Sequence, residues 1–174
     1  MDNASYRPIA LLFALGVTLH NLEEALFLAR WLRSHVKLWF VPNPAIFWLL
    51  TSLVSLVIWV AAIGVTLRPE NRSFRLALAG LALAMAVNAV LPHLALSLAK
   101  RSYSPGTASG MLFNLPLGAL ILWKSALRGD IPGTEFWSCS ALYAVGLGIA
   151  AFGSLVAAHY LQERTTRKSG GRSS

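Results

Sequence analysis

Cysteine is nearly absent from this 174-residue chain, and Cys139 stands alone. A single cysteine excludes an intramolecular disulfide and any CxxC metal site. Acid is scarce too, with seven Asp and Glu against fifteen Lys and Arg. Charged residues of all kinds make up 13% of the chain, about half the roughly 25% usual in a soluble domain. Apolar residues reach 56% and the mean hydropathy is +0.58. That balance excludes an ordinary water-soluble domain and indicates an integral membrane protein. The net charge of +8 is not matched by any nucleic-acid motif, so no nucleic-acid partner is expected. The basic residues sit between and after apolar blocks, where they meet anionic lipid and set topology. No internal repeat is visible, which disfavours the inverted-repeat transporter folds.

What is present is long apolar runs. A span needs about 20 residues at about 1.5 Å each. Five candidates meet or approach that length: 8–29, 45–67, 74–99, 107–123 and 136–161. The fourth is short and contains Pro116. The first block lacks the basic start and small-residue cleavage site of a signal peptide and is read as a retained span. The expected fold class is all-α, a polytopic bundle of about five transmembrane helices. It forms a single domain over 1–163, and 164–174 reads as a basic, disordered tail. Five spans put the termini on opposite sides. One side receives Arg30, Arg33, Lys37, Lys100, Arg101, Arg164, Arg167, Lys168 and Arg172, and the other the six remaining basic residues. Nine against six predicts the cytoplasmic membrane, with the C-terminus in the cytoplasm.

Within the first span lies "LHNLEEALFLAR", residues Leu19 to Arg30. One reading ends the span before His20 and places the acids on an interfacial amphipathic helix carrying Arg30, Arg33 and Lys37. Length argues for the other reading. Pro8 to Leu19 covers only about 18 Å as helix, short of the ~30 Å hydrocarbon core. Continuation to Ala29 supplies the missing length, and "ALFLA" after Glu24 is again apolar. A charged residue at the helix centre costs about 2.5–3.5 kcal/mol on insertion scales, so intramembrane acids are functional candidates by default. His20 with Glu23 is an i,i+3 pair and His20 with Glu24 an i,i+4 pair, so both carboxylates can approach one imidazole.

Partners for this cluster are expected on other spans. Asn88 and His93 lie near the end of the third span, and Asn114 lies in the fourth. Five residues separate Asn88 from His93, which on a regular helix points them about 140° apart. Pro92 cannot donate to the carbonyl of residue 88, so a one-residue bulge there is expected to return both to one face. Taken singly, Asn88 and Asn114 read as interhelical hydrogen bonders, Tyr103 as an interfacial anchor, and His35 as solvated surface. Only His20, Glu23 and Glu24 together exceed what packing explains.

Three stretches together resemble the HXXEE-motif family of membrane proteins, marked by HXXEE, then NXXXH, then YXPGXXT. Here they read "HNLEE" (His20 to Glu24), "NAVLPH" (Asn88 to His93, one residue longer) and "YSPGTAS" (Tyr103 to Ser109, Ser at the final Thr position). The resemblance runs from the first span through the fourth. It implies a small polytopic membrane protein, with membrane-embedded catalysis as the expectation, and implies no substrate.

The residues themselves point to a metal-dependent membrane enzyme. His20, His93 and Glu24, with or without Glu23, make a donor set for Zn, Fe or Mn, and two His and one Glu leave a position open. The second glutamate serves as base. Tyr103 joins Glu23 and Glu24 as a candidate catalytic group, with Asn88 and Asn114 in support. Lys100 and Arg101 beside "YSPG" suit an anionic headgroup, so a small hydrophobic or lipid-like substrate drawn from the bilayer is expected. Two alternatives stay open: metal-free acid/base isomerisation or cyclisation of a hydrophobic substrate, and a proton- or cation-coupled transporter.

Overall fold

The computed structural model describes residues 3–37, 44–129 and 131–170. Among the described residues the chain is helical throughout, without strands. Five helices follow in order: α1 (Asn3–His35), α2 (Pro44–Leu67), α3 (Arg72–Lys100), α4 (Thr107–Arg128) and α5 (Gly133–Gly170). The first four are long and apolar enough to cross a membrane. The fifth expected span falls inside α5, which continues as helix through most of the segment read as a tail, to Gly170.

The outer surface explains why these helices need lipid. Leu12, Leu53, Leu56, Val60, Leu142 and Ile149 all project outward. In water such a surface would be an aggregation liability; in hydrocarbon it needs no cover. The protein is therefore an integral membrane helix bundle. Inside, Phe13 and Val17 of α1 meet Ile58 and Val65 of α2, Leu78 and Met85 of α3, and Ile121 of α4. α1 packs along α2, while α3 takes the centre between α4 and α5. Polar ties cross the α1–α2 seam: Asn21 Nδ2 donates to the Thr51 carbonyl (3.1 Å) and to Ser55 Oγ (2.9 Å).

Two turns depart from α geometry, and each lies beside a proline. The stretch Ala89–Leu94 is π-helical, and the N–H of Ala95 reaches the carbonyl of Val90 five residues back. Pro92 has no N–H for the Asn88 carbonyl, so the wider turn absorbs the missing bond. The bulge expected from Pro92 is thus present. A second π segment, Gly110–Asn114, closes with the N–H of Leu115 bonded to the Gly110 carbonyl. It sits just before Pro116, which denies the Leu112 carbonyl its usual donor. The two wide turns face each other. A Cβ on Gly110 would lie 3.0 Å from Cβ of Ala89.

The loop between α3 and α4 is pinned at both ends. Arg101 adopts a left-handed conformation (φ 48°). The N–H groups of Arg101 and Ser102 return to the carbonyls of Leu98 and Ser97, the Schellman pattern that ends a helix. Ser97 Oγ then accepts from the N–H of Ser104 (2.9 Å) and pairs with Thr107 Oγ1 (2.8 Å). This folds Tyr103–Gly106 back over the middle of α1, at His20 and Glu23, and over the last turns of α3, at His93.

Candidate functional site

His20 is fully buried on α1, and its ring is oriented by the returning loop. Nδ1 lies 3.1 Å from the Gly106 carbonyl and 3.2 Å from Ser109 Oγ. A carbonyl only accepts, so Nδ1 carries the ring proton and, in a neutral imidazole, Nε2 presents its lone pair. Nε2 faces Oε1 of Glu24 at 3.3 Å and the side-chain amide of Asn88 at 3.1 Å. In this tautomer Asn88 Nδ2 donates to the Nε2 lone pair, and the Glu24 carboxylate stands beside that contact. Donation of the other ring N–H to a backbone carbonyl is the outer-sphere contact that metal-bound histidines use.

The π turn brings His93 to the same carboxylate. Its Nε2 lies 2.6 Å from Oε1 of Glu24. The oxygen stands off the ring's N–H axis, so the contact is a close electrostatic approach and not a straight hydrogen bond. His93 Nδ1 is buried and has no hydrogen-bond partner among the described residues. The two imidazoles meet edge to face, with ring centroids 4.9 Å apart. Gly106 covers both. A Cβ there would stand 2.6 Å from Cε1 of His93 and 3.0 Å from Cε1 of His20, and the residue's φ is +94°.

His20, Glu24 and His93 thus offer one ligand atom each, all within 4.8 Å of one another. Four ligands about 2.0–2.1 Å from a tetrahedral ion stand about 3.3 Å apart. The His20–Glu24 spacing already has that value, while His93 has to open from 2.6 Å to reach it. Two nitrogens and one carboxylate oxygen fit a borderline divalent ion such as Zn²⁺, Fe²⁺ or Mn²⁺.

Glu23, one residue earlier, faces elsewhere. Its Oε1 accepts from the Tyr103 hydroxyl, and its Oε2 from Ser109 Oγ at 2.5 Å. Tyr103 in turn accepts from the N–H of Ala108 (3.2 Å). Burial and the hydrogen bond to Glu23 both push the Tyr103 phenol above its ordinary value. The proton placements agree along the whole chain: His20 Nδ1–H faces Ser109 Oγ, whose own proton goes to Glu23, which is bonded to Tyr103. A hydrogen-bonded path therefore leads from a buried imidazole to a half-exposed phenol.

Of the residues singled out in the sequence, the fold brings six to one place: His20, Glu23, Glu24, Asn88, His93 and Tyr103. Asn114 is fully buried, yet its amide has no hydrogen-bond partner among the described residues, the cluster included. It lies five residues beyond Ser109, one π turn deeper. Ser109 and the Gly106 carbonyl are the contributors that residue-by-residue reading undervalues. The signal was the third motif, which carries a glycine and a hydroxyl at those positions.

The sequence model of the family described as "Protein of unknown function with HXXEE motif" matches residues 11–121. An uncharacterized protein of Bacillus subtilis (strain 168), YrkK, is 28% identical over 123 residues, which is 71% of this chain and 78% of that protein. No solved structure matches. The matched region takes in all three motifs and every residue of the cluster, so the chain belongs to the family of HXXEE-motif proteins.

Proposed function

We propose that this protein is a membrane-embedded, metal-dependent enzyme acting on a lipid-like or amphipathic substrate. His20, Glu24 and His93 hold the ion. The observation that carries this reading is the pair of buried imidazoles converging on one carboxylate oxygen, with the His20 tautomer set by the Gly106 carbonyl. When bound, the ion supplies a Lewis acid and an acidified water. Glu23 is the group that takes up and returns a proton. Ser109 and Tyr103 hold its two oxygens in place, and Ser109 links it to His20. Asn88 Nδ2 donates to His20 Nε2, the lone pair the ion takes, so the amide gives up that contact when the ion binds. The excess of basic residues on one side supports insertion in the cytoplasmic membrane with the C-terminus in the cytoplasm. The site then lies in the cytoplasmic half of the bilayer.

A second reading has its own support. The 2.6 Å approach of His93 to Glu24 is shorter than the separation of two ligands on one tetrahedral ion, and it puts an acid and a base in direct contact. On that reading the protein is a metal-free acid/base isomerase or cyclase of a hydrophobic substrate. Metal content of the purified, detergent-solubilised protein separates the two. Near-stoichiometric Zn, Fe or Mn in the wild type, lost in Glu24→Gln and His20→Ala, supports the metal reading. A folded wild type that stays metal-free after reconstitution overturns it.

A further inference from the structure

A chamber of about 690 Å³ opens beside the His/Glu cluster, between α1, α2, α3 and α5. That volume is within the range of sites that bury small organic ligands, about 300–1,000 Å³. Its walls are apolar: Phe47, Leu50 and Val54 come from α2, and Leu83, Val87 and Leu91 from α3. Small residues make the space. Ala141, Ala144 and Gly148 recur on one face of α5, opposite Ala84 of α3. A Cβ on Gly148 would meet nothing within 4 Å.

The polar lining is gathered at one level. Asn21, Glu24, Thr51 and Asn88 line the chamber there. Apolar lining flanks that level on both sides: Leu83 and Ala84 come about a turn before Asn88 on α3, and Leu91 and Pro92 come after it. Glu24 is the only acid among the described lining residues, and it belongs to both the chamber wall and the buried cluster. α2 and α5, which form the outer walls, touch along only a short stretch. The chamber lies within the membrane-spanning part of the bundle, so what reaches it from the side is lipid.

We infer that this chamber binds a single hydrocarbon chain of a lipid-like molecule, with the molecule's polar end against Glu24 and Asn88. The choice of occupant rests on the enzyme reading above, since the bound chain is what would present a reactive group to the cluster. Its support is complementarity. A wholly apolar ligand would leave Glu24 and Asn88 facing hydrocarbon, and a wholly polar one would leave three greasy walls uncovered. An amphipathic chain satisfies both kinds of lining.

The test uses the purified full-length protein and a defined probe, palmitic acid carrying a diazirine near its terminal carbon. Photolabelling is mapped by mass spectrometry, with unlabelled palmitic acid as competitor. Saturable labelling of the segments containing Ala84 and Ala144 is expected. Gly148→Leu places a side chain in open chamber space and is expected to reduce labelling about tenfold, the effect of displacing about two methylenes of the chain. Gly146→Leu is the matched control, because Gly146 is also uncrowded but does not line the chamber. It is expected to label like the wild type. Labelling that does not saturate, or that falls equally in both variants, overturns the inference. Metal content is measured on the same samples. Saturable, Gly148-sensitive labelling of a metal-free protein keeps the chamber and removes the metal reading. Stoichiometric metal without saturable labelling does the reverse.

Discussion

Replacing Gly106 by alanine tests the arrangement of the site through a single methyl group. Two penalties add. The first is conformational: φ of +94° is a region that L residues avoid, at about 1–2 kcal/mol. The second is steric. The new Cβ would stand 2.6 Å and 2.7 Å from Cε1 and Nδ1 of His93 and 3.0 Å from Cε1 of His20. Both rings are buried and rigid, so they must shift, and overpacking of that kind costs about 1–3 kcal/mol. The expected loss is about 2–5 kcal/mol, or roughly 5–15 °C in Tm for a chain of this length. Gly129→Ala isolates the first penalty. Gly129 also has a positive φ, +70°, but a Cβ there would meet only the Leu127 carbonyl, at 4.0 Å. It is expected to lose only about 1–2 kcal/mol. Thermal unfolding of both variants in one detergent decides the matter, with metal content as the second readout. Gly106→Ala should also lose bound metal, because the two imidazoles it displaces are the proposed ligands, and Gly129→Ala should retain it. Equal losses of stability in the two variants would refute the claim that Gly106 is packed against both rings.

Three further outcomes follow from the same contacts. Ser109→Ala removes the donor to Glu23 and the oxygen beside His20, so a loss of about 1–3 kcal/mol is expected. Ser109→Thr keeps the hydroxyl and should lose less than half as much, and equal losses by thermal unfolding would count against the hydrogen-bonded path. Tyr103→Phe removes the contacts to Glu23 and to the Ala108 N–H. Amide hydrogen exchange at Ala108 should then rise about tenfold or more, with α2 unchanged; unaltered exchange would mean that the phenol does not hold the loop. Chelation should destabilise the metal-loaded wild type by about 2.7 kcal/mol if the free metal stood at about a hundred times its Kd. The same treatment should leave Glu24→Gln unmoved, and a similar drop in both would place the ion elsewhere.

The fold was legible because apolar runs of span length leave little choice. Each of the first four expected spans lies within one helix and close to its ends. The bulge at Pro92 was legible for a local reason, since the missing N–H is written in the sequence. The same logic applied to Pro116 would have signalled the second π segment, Gly110–Asn114. The i,i+4 relation of His20 and Glu24 was legible from helical geometry alone. What was not legible depends on the loop. The Gly106 carbonyl and the Ser109 hydroxyl reach His20 only because Arg101, Ser97 and Gly106 turn the chain back over the bundle. No spacing rule encodes that return. Asn114 shows the converse. Its position in the sequence suggested a shared depth with the cluster, but its side chain lies one π turn away and makes none of the cluster's hydrogen bonds.

The geometry also gives a reason for two adjacent acids in a membrane span. Successive residues on a helix point about 100° apart. On α1 that angle separates the directions of α3 and of the loop leading into α4. Glu24 turns toward α3 and meets His93, while Glu23 turns toward the loop and meets Tyr103 and Ser109. His20, three and four residues earlier, stands above both. One carboxylate is therefore enclosed with two imidazoles and lines the chamber, and the other is reached from the half-exposed edge. A single acid could not face both ways, and two acids spaced by a full turn would face the same way. Adjacency is the spacing that lets one helix place one carboxylate against the buried imidazoles and the other against the half-exposed loop, with the same histidine beside both.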